Sequence, residues 1–261
     1  MSWRNRLFLV TVTFALITVF SSSYGAPPSL EAQQIIERVN TVYRSMQTVQ
    51  GYFIRESTIE DETMKVVGTF LFKKPDKVSI HNLEPREQYV VSNGQILWLY
   101  DKEHGSVTKV AVPRGNAGLD EQVGVGILFA FNPFDQMVDG YDCQRIEDYE
   151  NQIIIACKPL HGTGAISRVL VKVNPERWTV AAYEIFGPSG QLMTQTKYDD
   201  MRQMHNTTWF PFHIETKVAF EKKRFKENVQ YSRISVNDTL EDRLFEFTVP
   251  KGVRVIEGLK R

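Results

Sequence analysis

The sequence predicts a mainly β chain of the α+β kind, built as one large, curved antiparallel sheet with a few helices. Three observations predict it. Short apolar-rich runs follow one another from Tyr52 to Ile234, mostly separated by turn residues or charges, as in a meander. One clear helical stripe stands near the N-terminus, where Ile35, Val39, Val42, Met46 and Val49 recur at alternating spacings of four and three. Several runs are apolar at odd and even positions alike, so one covered face does not account for them.

The chain opens with Arg4 and Arg6, an apolar run from Leu7 to Phe20, and the small, polar SSSYGA. This is the layout of a secretory signal peptide over residues 1–25, with Ser23 and Gly25 before a cut near Ala26. The run is short for a membrane span, and an uncleaved anchor is the alternative. No cysteine stands at the cut, so the mature N-terminus is not itself a lipid-anchored cysteine. Residues 26–261 then form a single domain, expected to be soluble outside the cytoplasm. The 31 basic and 31 acidic residues balance, and without Arg4 and Arg6 the remainder carries two more acids than bases. That charge gives no case for binding nucleic acid or an anionic membrane surface.

Pro28-Ser29 starts a helix of roughly five turns laid against an apolar surface. Strands are expected at Tyr52–Thr58, Val66–Lys73, Lys77–Asn82, Gln88–Ser92, Gln95–Tyr100 and Val107–Val112. Asp120–Phe131, with two interior glycines at Gly124 and Gly126 and Pro133 beyond it, reads as a short, loosely held helix, since each interior Gly costs about 1 kcal/mol relative to Ala. Strands resume at Tyr141–Glu147, Gln152–Lys158, Ile166–Val173, Thr179–Phe186, Gln191–Met204, Trp209–Glu221 and Arg224–Ile234, with GPSG at Gly187–Gly190 as a hairpin turn. Leu240–Phe245 is a last helical turn.

Asn93-Gly94 is a strong two-residue hairpin signal, because a type I′ turn needs positive φ at both central residues. Pairing across it sets Val91 opposite Ile96 and Tyr89 opposite Trp98, with Tyr100 on the same side. Val90 opposite Leu97, with Leu99, makes the other side. Both sides are apolar. A two-layer core covered by helix and sheet would absorb them; so would a curved sheet whose concave face, lidded by Leu30–Val49 and the glycine-rich 119–131 segment, holds a lipid.

Chemistry-bearing patterns are sparse. The five histidines are scattered, no nucleophile, metal or phosphate motif stands out, and no catalytic residue, metal or cofactor is assigned. His161 and His205 read as solvated. Asp199-Asp200 and Glu60-Asp61-Glu62 read as turns at strand ends. Asn206-Thr-Thr and Asn237-Asp-Thr match the glycosylation pattern. If Glu150 centres a hairpin loop, Cys143 stands opposite Cys157 and Ile146 opposite Ile154; in an oxidising compartment the cysteines should form a disulfide, two free thiols being the alternative.

The order of pieces is similar to one known family. The signal, the amphipathic helix, a strand ending in GYF, G-x-F-x-F-K-K-P at Gly68–Pro75, VVSNGQILWLYD at Val90–Asp101 and F-x-F-x-x-P-x-G-V at Phe245–Val253 resemble the periplasmic outer-membrane lipoprotein carriers, the LolA-like proteins. The resemblance is strongest from Gln50 to Lys109; the long Met201–Ile234 section looks more like the broader lipoprotein-sorting relatives. It implies a half-open, unclosed antiparallel barrel closed by helices, a non-enzymatic monomer that shelters lipoprotein acyl chains across the periplasm. An inner-membrane ABC exporter would hand over the cargo and an outer-membrane receptor would take it. By position, Phe70, Phe72, Val78, Ile80, Val90, Leu97 and Leu99 would line the cavity. Lys74 falls where the family usually has the arginine that holds a lid shut, and Val78 stands where it often has a bulky aromatic, implying a wider cavity. A sensor that detects lipid with the same fold and signals to a membrane partner is the alternative.

Overall fold

The computed structural model describes residues 31–112, 140–146, 148–160, 165–205, 208–220 and 223–258. The signal segment, the expected Asp120–Phe131 helix, His161 and Asn206 lie outside them. The described residues belong to one compact unit, Glu31–Arg261. They contain one α-helix, α1 (Ala32–Arg44), and the strands β1 (Thr48–Ile59), β2 (Glu62–Lys73), β3 (Lys77–Glu84), β4 (Gln88–Asn93), β5 (Ile96–Asp101) and β6 (Ser106–Ala111). β7 (Tyr141–Arg145), β8 (Ile153–Pro159), β9 (Arg168–Asn174) and β10 (Thr179–Phe186) follow. β11 (Leu192–His205), β12 (Thr208–Phe220), β13 (Lys223–Val236), a 3-10 turn (Asp242–Phe245) and β14 (Arg254–Glu257) complete the order.

All strands join in one open 14-stranded sheet, in the order β14-β6-β5-β4-β3-β2-β1-β13-β12-β11-β10-β9-β8-β7. Every pairing is antiparallel except β14 with β6, which is parallel. The expected curved antiparallel sheet is thus present, with one parallel pair added at its edge. The chain crosses the sheet through 237–253 before adding β14, so that strand runs alongside β6 instead of returning beside a neighbour in sequence.

α1 buries Ala32, Ile35, Ile36, Val39, Asn40 and Tyr43 against β7, β10 and β12. The helix is shorter than its apolar stripe: Arg44 ends it, Met46 is buried just beyond, and Val49 is buried in β1. Thr48 and Val49 pair with Lys73 and Phe72 of β2 instead. Two β-branched residues with a strand available on either side favour extension over another helical turn.

The Asn93-Gly94 turn also differs from expectation. Gly94 has φ +88° but Asn93 is not left-handed, so the turn is not type I′. The Asn93 Oδ1 accepts the Gln95 and Ile96 backbone N–H groups, each at 3.0 Å, and Ser92 pairs with Leu97 around a wider loop. Val91 thus faces Trp98, Tyr89 faces Tyr100 and Val90 faces Leu99. The slip is two residues, which leaves every side chain on its expected face.

The other predicted register holds. Cys143 pairs with Cys157, their Cα atoms are 4.0 Å apart and a disulfide joins them. The Ile146 N–H donates to the Ile154 carbonyl at 2.9 Å. Glu150 and Asn151, at φ +49° and +59°, make the turn.

One apolar side of β4–β5 is covered from an unexpected source. Val91, Trp98 and Val107 are buried with Phe247, Val249 and Val253 of the C-terminal segment packed against them, and the Phe247 ring lies 5.5 Å from that of Tyr100. The segment is pinned by polar contacts. Lys73 and Lys77 reach Asp242 at 2.7 and 2.9 Å, and Lys73 also donates to the Leu240 carbonyl at 2.8 Å. The Asn237 side chain bonds the Gln47 N–H and the Ser45 carbonyl.

Candidate functional site

The other face of β2–β6 is read directly from strand register. One cross-strand row runs Val49, Phe72, Val78, Ser92, Leu97, Val110; the next runs Gly51, Phe70, Ile80, Val90, Leu99, Thr108. All the cavity residues named from the resemblance fall in these two rows, on one face. Phe70, Phe72, Val78, Ile80 and Leu97 are buried, while Val90 and Leu99 are half-buried. The face continues across β1 and β13: the Phe70 ring stands 6.5 Å from Phe53 and 5.5 Å from Tyr231, which in turn meets Phe210 at 5.3 Å. Phe210 belongs to β12, one of the strands beneath α1. The apolar surface is thus continuous with the side that the helix covers, and we term that side the inner face.

Alternation in β2 sets this up. Val66, Gly68, Phe70 and Phe72 point inward, and a β-carbon at Gly68 would sit 2.7 Å from the Phe53 ring. Glycine here lets that ring lie over the strand.

Toward one end the inner face becomes polar. Arg55, Val66, Asn82, Glu84, Arg86 and Gln88 help to line a cleft of about 570 Å³, within the roughly 300–1,000 Å³ usual for small-molecule sites. Beside it Ser57 donates to Glu227 at 3.1 Å, and Arg55 Nε lies 4.0 Å from the same carboxylate. Gln88 donates to Asp101 at 3.1 Å. The His104 backbone N–H, with the Gln88 amide and the His104 ring, holds the Asp101 carboxyl down at about 2.

Lys74 Nζ donates to the Tyr43 carbonyl at 2.6 Å. That carbonyl lies in the last turn of α1, where a cation suits the helix dipole. The lysine therefore ties the β2–β3 turn to the helix end. Asp199 and Asp200 lie toward His213 and Arg202 respectively.

Sequence reasoning missed the polar groups of the inner face. Arg55 and Ser57 stand in phase with Val49 and Phe53, and Glu227 in phase with Val229 and Tyr231. A charge in the apolar phase of a strand is the signal, and it becomes legible once the phase is known. Among the described residues no three His, Cys, Asp or Glu side chains gather as for a metal ion, and no helix is long and apolar enough to cross a membrane.

Known proteins share this architecture. An outer-membrane lipoprotein carrier protein of Legionella pneumophila (strain Lens) is 22% identical over 254 residues, covering 97% of this chain and 99% of its own. The carrier protein of Alkalilimnicola ehrlichii is 29% identical over 105 residues, which is 38% of this chain and about half, 48%, of that relative. The crystal structure of a LolA superfamily protein from Nitrosomonas europaea superposes with a TM-score of 0.58 at 18% identity, covering 84% of this chain and 99% of that one. A putative outer membrane lipoprotein-sorting protein domain from Vibrio parahaemolyticus gives 0.59 at 12% identity, over 81% and 94%. The profile of the outer membrane lipoprotein carrier protein LolA matches residues 44–206, more than half of the 261 residues, and the chain belongs to that family.

Proposed function

We propose that this protein is a periplasmic carrier that holds lipoprotein acyl chains on the inner face of its sheet and moves them from the inner to the outer membrane. The observation that supports this most is the pair of apolar rows through Phe70, Phe72, Val78, Ile80, Val90, Leu97 and Leu99, which lead toward a polar-rimmed cleft. The opposite side of β4–β5 has its own cover in the C-terminal segment, so the two greasy sides serve different purposes. Lys74 acts in this reading as the latch that keeps α1 over its end of the face.

Binding involves no covalent change and no cofactor. Each methylene removed from water contributes about 0.8 kcal/mol, so even partly sheltered acyl chains are held firmly. Dilution does not release them; a better acceptor does. An inner-membrane ABC exporter as donor and an outer-membrane receptor as acceptor suit that requirement, with the carrier soluble and monomeric between them after removal of residues 1–25.

Depleting the protein in its own host and fractionating the membranes tests the reading. Lipoproteins stranded in the inner membrane are expected. A change in gene expression with every lipoprotein correctly placed would contradict transport and favour a sensor.

A further inference from the structure

Three polar groups on the covered side of the sheet lack hydrogen-bond partners among the described residues: Tyr198 Oη, Tyr231 Oη and Asn40 Oδ1. Their residues are only 4%, 5% and 6% exposed. Tyr198 of β11 pairs with Ile214 of β12, which pairs with Val229 of β13, two residues from Tyr231. Both phenols therefore point to the same face, two strand spacings apart. Asn40 comes from the buried stripe of α1, which packs on β12. Burial pushes both phenols well above the usual tyrosine range, so each remains an O–H donor at any working pH.

Buried donors without acceptors are rare in folded proteins, and each costs stability until something supplies the missing partner. The two tyrosines offer hydrogens and Asn40 offers a lone pair. Hydrocarbon satisfies neither. A carbonyl oxygen accepts from a phenol, and an amide N–H or hydroxyl donates to the asparagine.

We infer that the α1-covered side of β11–β13 receives the linkage group of a bound acyl lipid, an ester or amide carbonyl taken up by Tyr198 and Tyr231. The inference rests on the carrier reading and adds to it: the inner face selects chains by their linkage as well as by their length. Two sources share that chemistry, an acylated peptide and a free glycerolipid.

Displacement of a fluorescent fatty-acyl probe from the full mature chain tests it. The competitors are dipalmitoylglycerol, its dihexadecyl ether analogue, which lacks both carbonyls, and a dipalmitoylglyceryl-cysteinyl peptide. The wild type should prefer ester to ether by about fivefold or more, the worth of one to two net hydrogen bonds. The double variant Tyr198→Phe/Tyr231→Phe should bind both within about twofold, while its ligand-free melting temperature stays level or rises, because no partnered hydroxyl is lost. An ester preference unchanged in the double variant, or a melting temperature lowered by loss of bonds to trapped water, would overturn the inference while leaving the carrier reading standing. Failure of every competitor, ester and ether alike, to displace the probe from the wild type would overturn both. A stronger displacement by the peptide than by the glycerolipid identifies the source as an acylated protein, and the reverse identifies a free lipid; either outcome with the ester preference intact supports the linkage site.

Discussion

Gly68 sits where Phe53 packs across β2, and a β-carbon there would also stand 2.6 Å from the His81 carbonyl oxygen. Backbone cannot move aside as a flexible side chain can, so Gly68→Ala should destabilise the fold by about 1–3 kcal/mol in a urea titration; an unchanged midpoint would mean that the aromatic row is loosely held. Lys74 makes the other residue-level claim. Replacing it by Met keeps the aliphatic stem and removes the bond to the Tyr43 carbonyl. Faster hydrogen exchange in the last turn of α1 is expected, with a loss of about 1 kcal/mol or less of global stability. At this scale the sequence was legible where partners are set by counting: Cys143 and Cys157 lie opposite each other. It was less so where a side chain decides the turn, because Asn93 bonds two backbone N–H groups and shifts the register by two. Arg55, Glu227 and the tyrosines Tyr198 and Tyr231 were illegible, since each looks ordinary until its strand phase is fixed by a neighbour far away in the chain.

Among the elements, the β7–β8 hairpin and the C-terminal segment each pack against a neighbour far away in the chain. α1 rests partly on β7, and the Cys143–Cys157 bridge closes a loop with a sequence separation of 14, worth about 3 kcal/mol on the chain-entropy estimate. Cys143→Ser/Cys157→Ser should lower stability by about that amount, read as a shift in the denaturant midpoint; a shift under about 1 kcal/mol would assign the bridge a minor role. The C-terminal segment has a pH signature. Hydrogen bonds from Lys73 and Lys77 hold the Asp242 carboxyl down at about 2, against 3.8 for a free one. A depressed carboxyl contributes stability that is whole above the unfolded value, about pH 4, and is lost as pH falls through the folded one. Asp242→Asn should therefore lose less stability than the wild type between about pH 4 and pH 2, followed by the fluorescence of Trp98, whose ring lies 6.5 Å from Phe247. Equal acid profiles would contradict the clamp. The meander and the amphipathic helix were readable from period alone, whereas the end of α1 and the existence of β14 were not. Strand pairing with β2 overrides the apolar stripe in the first case, and β14 is a short edge strand whose residues are all exposed.

For the whole molecule, the surplus of apolar strand faces turned out to have two separate destinations. Trp98, Val91 and Val107 meet the chain's own C-terminal segment, a covering that no local pattern announces because Phe247 and Val249 lie so far along the sequence. Leu97, Val90 and Ile80 belong to the inner face. Family membership covers residues 44–206, and the division between the faces is where the carrier reading can fail. Leu99 and Tyr100 are consecutive, both half-buried, and lie on opposite faces of β5. A photocrosslinking amino acid placed at each in turn, with irradiation in the host's periplasm, addresses that division most directly. Acylated cargo captured from position 99 and absent from position 100 is the expected result; equal capture from both, or acyl capture from position 100 alone, would contradict the assignment of the inner face to lipid.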